Sequence, residues 1–313
     1  MTDTTDRTLE VSVVVPVFNS ASVVAQTVGT IRSELAALGV SFEIVLVDDG
    51  SRDSSWDVVS GLAQRYADVT AIRLLQNYGQ HNANLAGLRA AKGEWVVTMD
   101  DDGQNPPDQI GVLIEAARGG HDVVFGRFRQ KQSSRTRTLG SRVVGRLNRH
   151  IFGKPNDLTV SNFRVLHRGV VDRICADRTR YPYITGQALL YASSPANVEV
   201  EHAVRKHGTS NYDFVRILRL VVRILFSYSV APLHVMAGVG GLVAVVSFVT
   251  GIVFLVRGVV GDVVVPGWTT LVVLLAFLQG ITLLMLSMLG EYIVRTLNQV
   301  SDRPTYLVSD VVP

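Results

Sequence analysis

Cysteine is almost absent. Cys175 is the only one in 313 residues, so an internal disulfide and a cysteine metal cluster are both excluded. Charge is scarce as well. Asp, Glu, Lys and Arg make up 18% of the chain, against about 25% in ordinary globular proteins. The deficit is local, because between Val235 and Gly290 the only charged residues are Arg257 and Asp262. A purely soluble enzyme and a disordered chain are thereby excluded. Two phosphate-binding signatures are also missing. Neither Gly-x-Gly-x-x-Gly nor Gly-x-x-x-x-Gly-Lys-Ser/Thr occurs, so phosphate recognition has to come from other groups. The opening residues MTDTTDRTLE lack the charged-then-apolar order of a secretory signal, and this end is expected to stay in the cytoplasm. The net charge of +3 borders the apolar region. It suits an anionic membrane surface better than nucleic acid. There are no internal repeats and no low-complexity linker.

What is present in the first half is an alternation of strands and helices. Val11–Val17 is a β-branched run typical of a buried strand. Helical spacing follows from Ser20 to Leu38. Phe42–Val47 is a second strand and stops at Asp48-Asp49-Gly50-Ser51. Asp53 is placed to cap a helix running to Tyr66. Further strands are expected at Val69–Leu75, Glu94–Met99 and Asp122–Phe125, with helices at Gln80–Ala91 and Asp108–Arg118. Such βα units predict a mostly parallel sheet with helices on both faces. In these sheets ligands bind beyond the carboxyl ends of the strands. Asn19, Asp48, Asp49 and Asp100 to Asp102 all follow strand ends, so one rim gathers them.

The second half changes character. Val235–Val256 gives 22 uncharged residues, roughly 33 Å of helix at about 1.5 Å per residue, enough to cross a bilayer core. A second span is expected at Trp268–Gly290, making a hairpin. Arg205, Lys206, Arg216, Arg219 and Arg223 precede the first span, and Arg295 and Arg303 follow the second. The positive-inside rule then puts both ends in the cytoplasm. Residues 212–230 read either as an amphipathic interfacial helix or as a helix packed on the globular part. The expected division is a globular domain at 1–211, a juxtamembrane segment at 212–230, two membrane helices within 231–292 and a cytoplasmic tail at 293–313.

Asp100-Asp101-Asp102 carries the clearest chemistry. On a strand, Asp100 and Asp102 would share a face and Asp101 would point away. Two such carboxylates form either a solvated acidic turn or a clamp for a hard cation such as Mg²⁺ or Mn²⁺, which takes carboxylate and phosphate oxygens together. Asp48 and Asp49 are suited to accept hydrogen bonds from a ribose or base. His81 reads as a cap, a nucleotide-edge group or a surface histidine. Cys175 reads as a small core residue, and Trp268 as an interfacial anchor.

The runs VVVPVFNS, VLVDDGSRDSS, LLQNYGQHNANLAGLRAAKGEWVVTMDDDGQNPP and GEYIVRTLNQVSDRPTYLV together resemble family 2 glycosyltransferases with the GT-A fold. The subgroup resembled is the polyisoprenyl-phosphate glycosyltransferases. These include dolichol-phosphate mannose synthases, bactoprenol glucosyltransferases and the undecaprenyl-phosphate formamido-arabinose transferases. The segment His202-x-x-Arg205-x-x-Gly208-x-Ser210-x-Tyr212 is similar to theirs as well. The resemblance implies an inverting, metal-dependent transfer of sugar from a nucleotide-sugar, UDP-linked by preference, to a polyprenyl phosphate such as undecaprenyl phosphate. It implies that Asp100, Asp102 and Gln104 surround Mg²⁺ or Mn²⁺. It implies that Pro16, Val17, Asn19, Asp48, Asp49, Asn77 and Asp101 hold the nucleotide, with Arg205 at a phosphate. Arg127, Arg129 and Arg142 would hold the acceptor phosphate, and Arg129 and Arg142 would share the catalytic work with Asp100 and Asp102. It also admits a homo-oligomer, a tetramer in some relatives.

The chain departs from the pattern at Gly103, where relatives carry a bulky apolar residue, and at Gln76, where they often carry Arg. Two other functions compete. A processive polysaccharide synthase would need a Gln-x-x-Arg-Trp motif, which the chain lacks. An inactive membrane scaffold would not need intact Asp100, Asp102 and Gln104.

Overall fold

The structure, a computed structural model, describes residues 9–101, 105–128, 145, 149–177, 179, 181–201, 229, 231–260, 267–300 and 304–313. The chain divides into two compact units, residues 1–217 with 304–313, and residues 218–303.

The first unit is built on an eight-stranded sheet. Its strands are β1 (Val11–Val17), β2 (Phe42–Asp48), β3 (Val69–Leu74), β4 (Trp95–Thr98), β5 (Val123–Phe128), β6 (Arg164–His167), β7 (Pro195–Val200) and β8 (Val308–Val312). The order across the sheet is β7-β5-β6-β4-β1-β2-β3-β8. Strands β3, β2, β1 and β4 are mutually parallel, as the βα alternation predicts. Strand β6 is antiparallel to both β4 and β5, β7 is parallel to β5, and β8 runs antiparallel to β3 at the far edge. Residues 308–312, expected within a tail, are therefore sheet.

The helices are α1 (Val24–Ala37), α2 (Ser55–Arg65), α3 (Gln80–Ala90), α4 (Ile110–Arg118), α5 (Arg168–Ala176) and α6 (Ile184–Tyr191). All seven residues of β1 are buried, because helices cover both of its faces. Val11, Val13, Val15 and Val17 join a core with Val28, Ile31 and Leu35 of α1 and with Ile110, Leu113 and Ile114 of α4. Val14 points the other way, to α3. A Cβ at Gly87 would run into the Val14 side chain, so only glycine lets α3 come this close.

Two local expectations change. Asp53 is not the cap of α2, since Ser54 holds that position. Its Oδ1 instead accepts from the Ser55 amide at 3.0 Å and the Ser55 hydroxyl at 2.6 Å. The helix after Pro106-Pro107 opens with a single 3-10 turn at Pro107–Gln109.

The second unit holds α7 (Ala231–Val260) and α8 (Trp268–Val300). Each contains a stretch long and apolar enough to cross a membrane, Pro232–Thr250 and Phe277–Val294. Gly240 of α7 faces the end of the Met285 side chain of α8, where the two helices meet. Tyr292 Oη donates to the Ser229 carbonyl at 3.2 Å within the same unit.

Candidate functional site

The loops after the parallel strands enclose one cleft of about 320 Å³. Pro16, Val17 and Phe18 line it from the end of β1, Asp49 from β2, Asn77, Gly79 and Gln80 from the β3–α3 turn, and Asp100 and Asp101 from the end of β4. The rim that topology gathers is thus a real concavity.

Asp49 organises one wall. Its Oδ1 accepts the Tyr78 amide at 2.7 Å and its Oδ2 the Gly79 amide at 2.9 Å. Burial pushes its carboxyl up to about 6 against the pull of those two amides. Gly50 makes the wall possible. It sits at φ +65°, and a Cβ there would lie 2.5 Å from the Gln76 carbonyl carbon and 2.6 Å from the Asn77 nitrogen. Only glycine allows both the left-handed turn and the close backbone approach.

A second set of bonds knits the β1 and β2 loops. Asn19 takes φ +53°. Its amide donates to Ser51 Oγ at 3.0 Å, and its Oδ1 accepts the Arg52 amide at 2.9 Å. Ser20 N donates to Ser55 Oγ at 2.8 Å, and Ala21 N to Asp53 Oδ2 at 3.3 Å. Burial alone would raise the Asp53 carboxyl, but its hydrogen bonds outweigh this and leave it below the usual range.

Neither Asp48 nor Asn19 is among the cleft-lining residues. Asp48 is fully buried, accepts the Ser51 amide at 3.3 Å and lies 3.7 Å from Arg73 Nε. Burial raises its carboxyl above the usual range. In this position Asp48 holds the turn at Ser51.

The acidic segment also differs from expectation. Strand β4 ends at Thr98, so strand alternation does not govern Asp100 and Asp101. Asp101 does not turn away. It lines the cleft beside Asp100, and its Oδ2 accepts the Phe18 amide at 3.3 Å. Asp100 Oδ1 accepts from Gln80 Nε2. Carboxylate oxygens are the donors a hard divalent cation takes, so this edge fits one in chemistry. Among the described residues no three His, Cys, Asp or Glu side chains gather into a metal site. Asp102 and Gln104 lie outside the described residues, as do Arg129, Arg142 and Arg205. Arg127 is an exposed residue of β5 and is not among the cleft-lining side chains.

Sequence reasoning missed Phe18, Gly79 and Gln80 as cleft residues, although all three follow strand ends. It missed Arg164 entirely. This arginine of β6 is fully buried, and its four-residue strand is too short to show a pattern.

A family model, Glycosyl transferase family 2, matches residues 12–175, just over half of the chain. The chain belongs to glycosyl transferase family 2. The match spans β1 to α5 and so covers every cleft-lining residue. Similar relatives extend beyond it. The undecaprenyl-phosphate 4-deoxy-4-formamido-L-arabinose transferase of Proteus mirabilis (strain HI4320) is 32% identical over 312 residues, 99% of this chain and 96% of the relative. The transferase of the same name from Edwardsiella ictaluri (strain 93-146) is 34% identical over 310 residues, 96% of this chain and 94% of the relative. Among solved structures, glucosyl-3-phosphoglycerate synthase from Mycobacterium tuberculosis, crystallised with Mn²⁺, UDP and phosphoglyceric acid, aligns with a TM-score of 0.51 at 18% identity. That alignment covers 70% of this chain and 78% of that one. At that identity the likeness is one of fold.

Proposed function

We propose that this family 2 protein is a membrane-anchored, inverting glycosyltransferase. It moves a sugar from a nucleotide-sugar, UDP-linked by preference, to a polyprenyl phosphate such as undecaprenyl phosphate, for cell-envelope glycan assembly or modification. One observation carries the reading. A cleft edged by Asp100 and Asp101 opens at the carboxyl ends of the parallel strands, in a chain that aligns almost end to end with transferases named for undecaprenyl phosphate.

The acceptor chemistry needs little from the protein. A phosphate monoester has a second pKa near 6 and is largely dianionic at neutral pH. Its oxygen attacks the anomeric carbon with no proton to lose, so no general base is required. A new C–O bond forms as the bond from that carbon to the diphosphate oxygen breaks, and the electron pair leaves with the nucleoside diphosphate. Attack from the opposite face inverts the configuration.

The chain's residues bind and orient. Pro16, Val17, Asn19, Asp48, Asp49, Asn77 and Asp101 hold the nucleotide, Asn19 and Asp48 also bracing the β1 and β2 loops. Arg205 meets the donor diphosphate, while Arg127, Arg129 and Arg142 hold the lipid phosphate in line. Asp100, Asp102 and Gln104 would hold Mg²⁺ or Mn²⁺, which when bound supplies positive charge for the departing diphosphate. Helices α7 and α8 form the membrane hairpin, with both flanks on the cytoplasmic side by the positive-inside rule.

Substitution at the two ends of the reaction tests these assignments. Asp102→Asn is expected to abolish turnover in a folded protein, and full activity would contradict the metal role. Arg129→Ala is expected to raise KM for the lipid phosphate more than for the sugar-nucleotide. The reverse pattern would move this arginine to the donor side.

A further inference from the structure

The loops explain the walls of the cleft but not a buried charge next to it. Arg164 is fully buried and is paired with Thr98 in the antiparallel β4–β6 register. Its Nε donates to Thr98 Oγ1 at 3.1 Å and its Nη1 to Thr185 Oγ1 at 2.9 Å. Thr98 Oγ1 in turn donates to the Asn162 carbonyl at 2.8 Å, which fixes the direction of the chain of bonds. Nη2 is buried with no hydrogen-bond partner among the described residues. Among the described residues, no carboxylate lies within ion-pairing distance of the guanidinium.

A lone buried cation held by neutral hydroxyls is a poor way to stabilise a sheet. Well-packed apolar side chains serve a core at least as well as buried charge, and a buried donor without a partner is a further cost. Burial accordingly lowers the Arg164 guanidinium to about 10, while Tyr183 and Asp100 act in the opposite direction. The location gives the charge a purpose. Thr98 is the last residue of β4, and Asp100 follows two positions later at the cleft. Thr185 lies in the first turn of α6.

We propose that Arg164 is a positioning residue for the acidic segment. Its guanidinium ties the end of β4 to α6 and sets a fixed positive charge beside the strand end that carries Asp100. The segment is thereby held in the geometry that receives a cation-bound diphosphate. The inference rests on the diphosphate reading of the cleft given above.

The test uses the full chain in detergent and titrates UDP calorimetrically, once with Mn²⁺ and once with EDTA. The readout is the factor by which Mn²⁺ tightens UDP binding. Arg164→Met is expected to cut that factor about tenfold or more, with affinity in EDTA changed less than about twofold. Arg164→Lys is expected to follow it, because a single ammonium cannot reproduce the planar fork that spans two hydroxyls. Thr185→Val keeps the side-chain shape, protects the test against a misfolded arginine variant, and is expected to lower the factor in the same direction. Thr185→Ser restores the hydroxyl and is expected to rescue it. A folded Arg164→Met or Thr185→Val protein with an undiminished Mn²⁺ effect would overturn the proposal. So would equal weakening in Mn²⁺ and in EDTA, which marks a merely structural role. If the unaltered protein shows no Mn²⁺-dependent binding of UDP, GDP or dTDP, the reading of the cleft itself falls, and this inference with it.

Discussion

Asp48 and Asp49 are adjacent in sequence and separate in role. Asp48 closes the end of β2 inside the protein, while Asp49 emerges at the cleft and spends both oxygens on the Tyr78 and Gly79 amides. The sequence marks the pair as important but cannot assign the roles, because register decides which carboxylate is swallowed by the sheet. Asp49 has a measurable consequence. Its carboxyl titrates at about 6 in the folded protein against 3.8 ordinarily, so between those values the native state binds more protons than the unfolded one. Its contribution to stability is complete below the lower value and is lost as pH rises through the upper one. Melting temperatures from about pH 4 to about pH 7 are expected to show this declining component in the unaltered protein and to lack it in Asp49→Asn. An identical pH dependence in the variant would contradict it. Gly50 gives a second test. Gly50→Ala forces a left-handed alanine, at roughly 1–2 kcal/mol, and drives its Cβ into the Gln76–Asn77 backbone. UDP affinity measured by calorimetry is expected to fall about tenfold or more. Unchanged affinity would mean that the wall does not depend on this contact.

Elements were legible through β5, where strands and helices alternate, and were missed at β6, β7 and β8 beyond it. Strand β1 occupies the predicted residues, Val11–Val17, because seven mostly β-branched residues covered on both faces leave one reading. Strands β6 and β8 escaped notice for opposite reasons. The first is four residues long and opens with an arginine, and the second, Val-Ser-Asp-Val-Val, is largely exposed at a sheet edge. The acidic segment shows a third cause. Its alternation was inferred from a strand that stops at Thr98, so that inference fails and Asp101 lines the cleft beside Asp100. Strand β8 supports the sheet as well as extending it. It pairs with β3, the Leu75 amide donates to the Leu307 carbonyl at 2.8 Å, and Arg89 Nη1 donates to Tyr306 Oη at 3.3 Å. Each such bond contributes about 0.5–1.5 kcal/mol net. Deleting residues 304–313 is therefore expected to lower the melting temperature measurably. An unchanged melting temperature would show that this strand is dispensable to the fold.

At the scale of the whole molecule, the chain is two units of different character. Residues 1–217 with 304–313 form a packed α/β unit with a polar cleft, and residues 218–303 contain two long apolar helices. A water-soluble nucleotide-sugar and a lipid phosphate are the pair of substrates such a chain is suited to join. That division was visible in the sequence as a local loss of charge between Val235 and Gly290. The sugar is not legible in the sequence, because no motif in it reports on sugar hydroxyls. The most direct measurement supplies purified protein in detergent with undecaprenyl phosphate, Mn²⁺ or Mg²⁺, and a panel of labelled UDP-, GDP- and dTDP-sugars, and counts label in the organic phase. The account predicts that one donor yields an organic-soluble, phosphate-linked product and that EDTA abolishes it. A folded protein that binds nucleotide yet transfers no sugar to the lipid from any donor would contradict it.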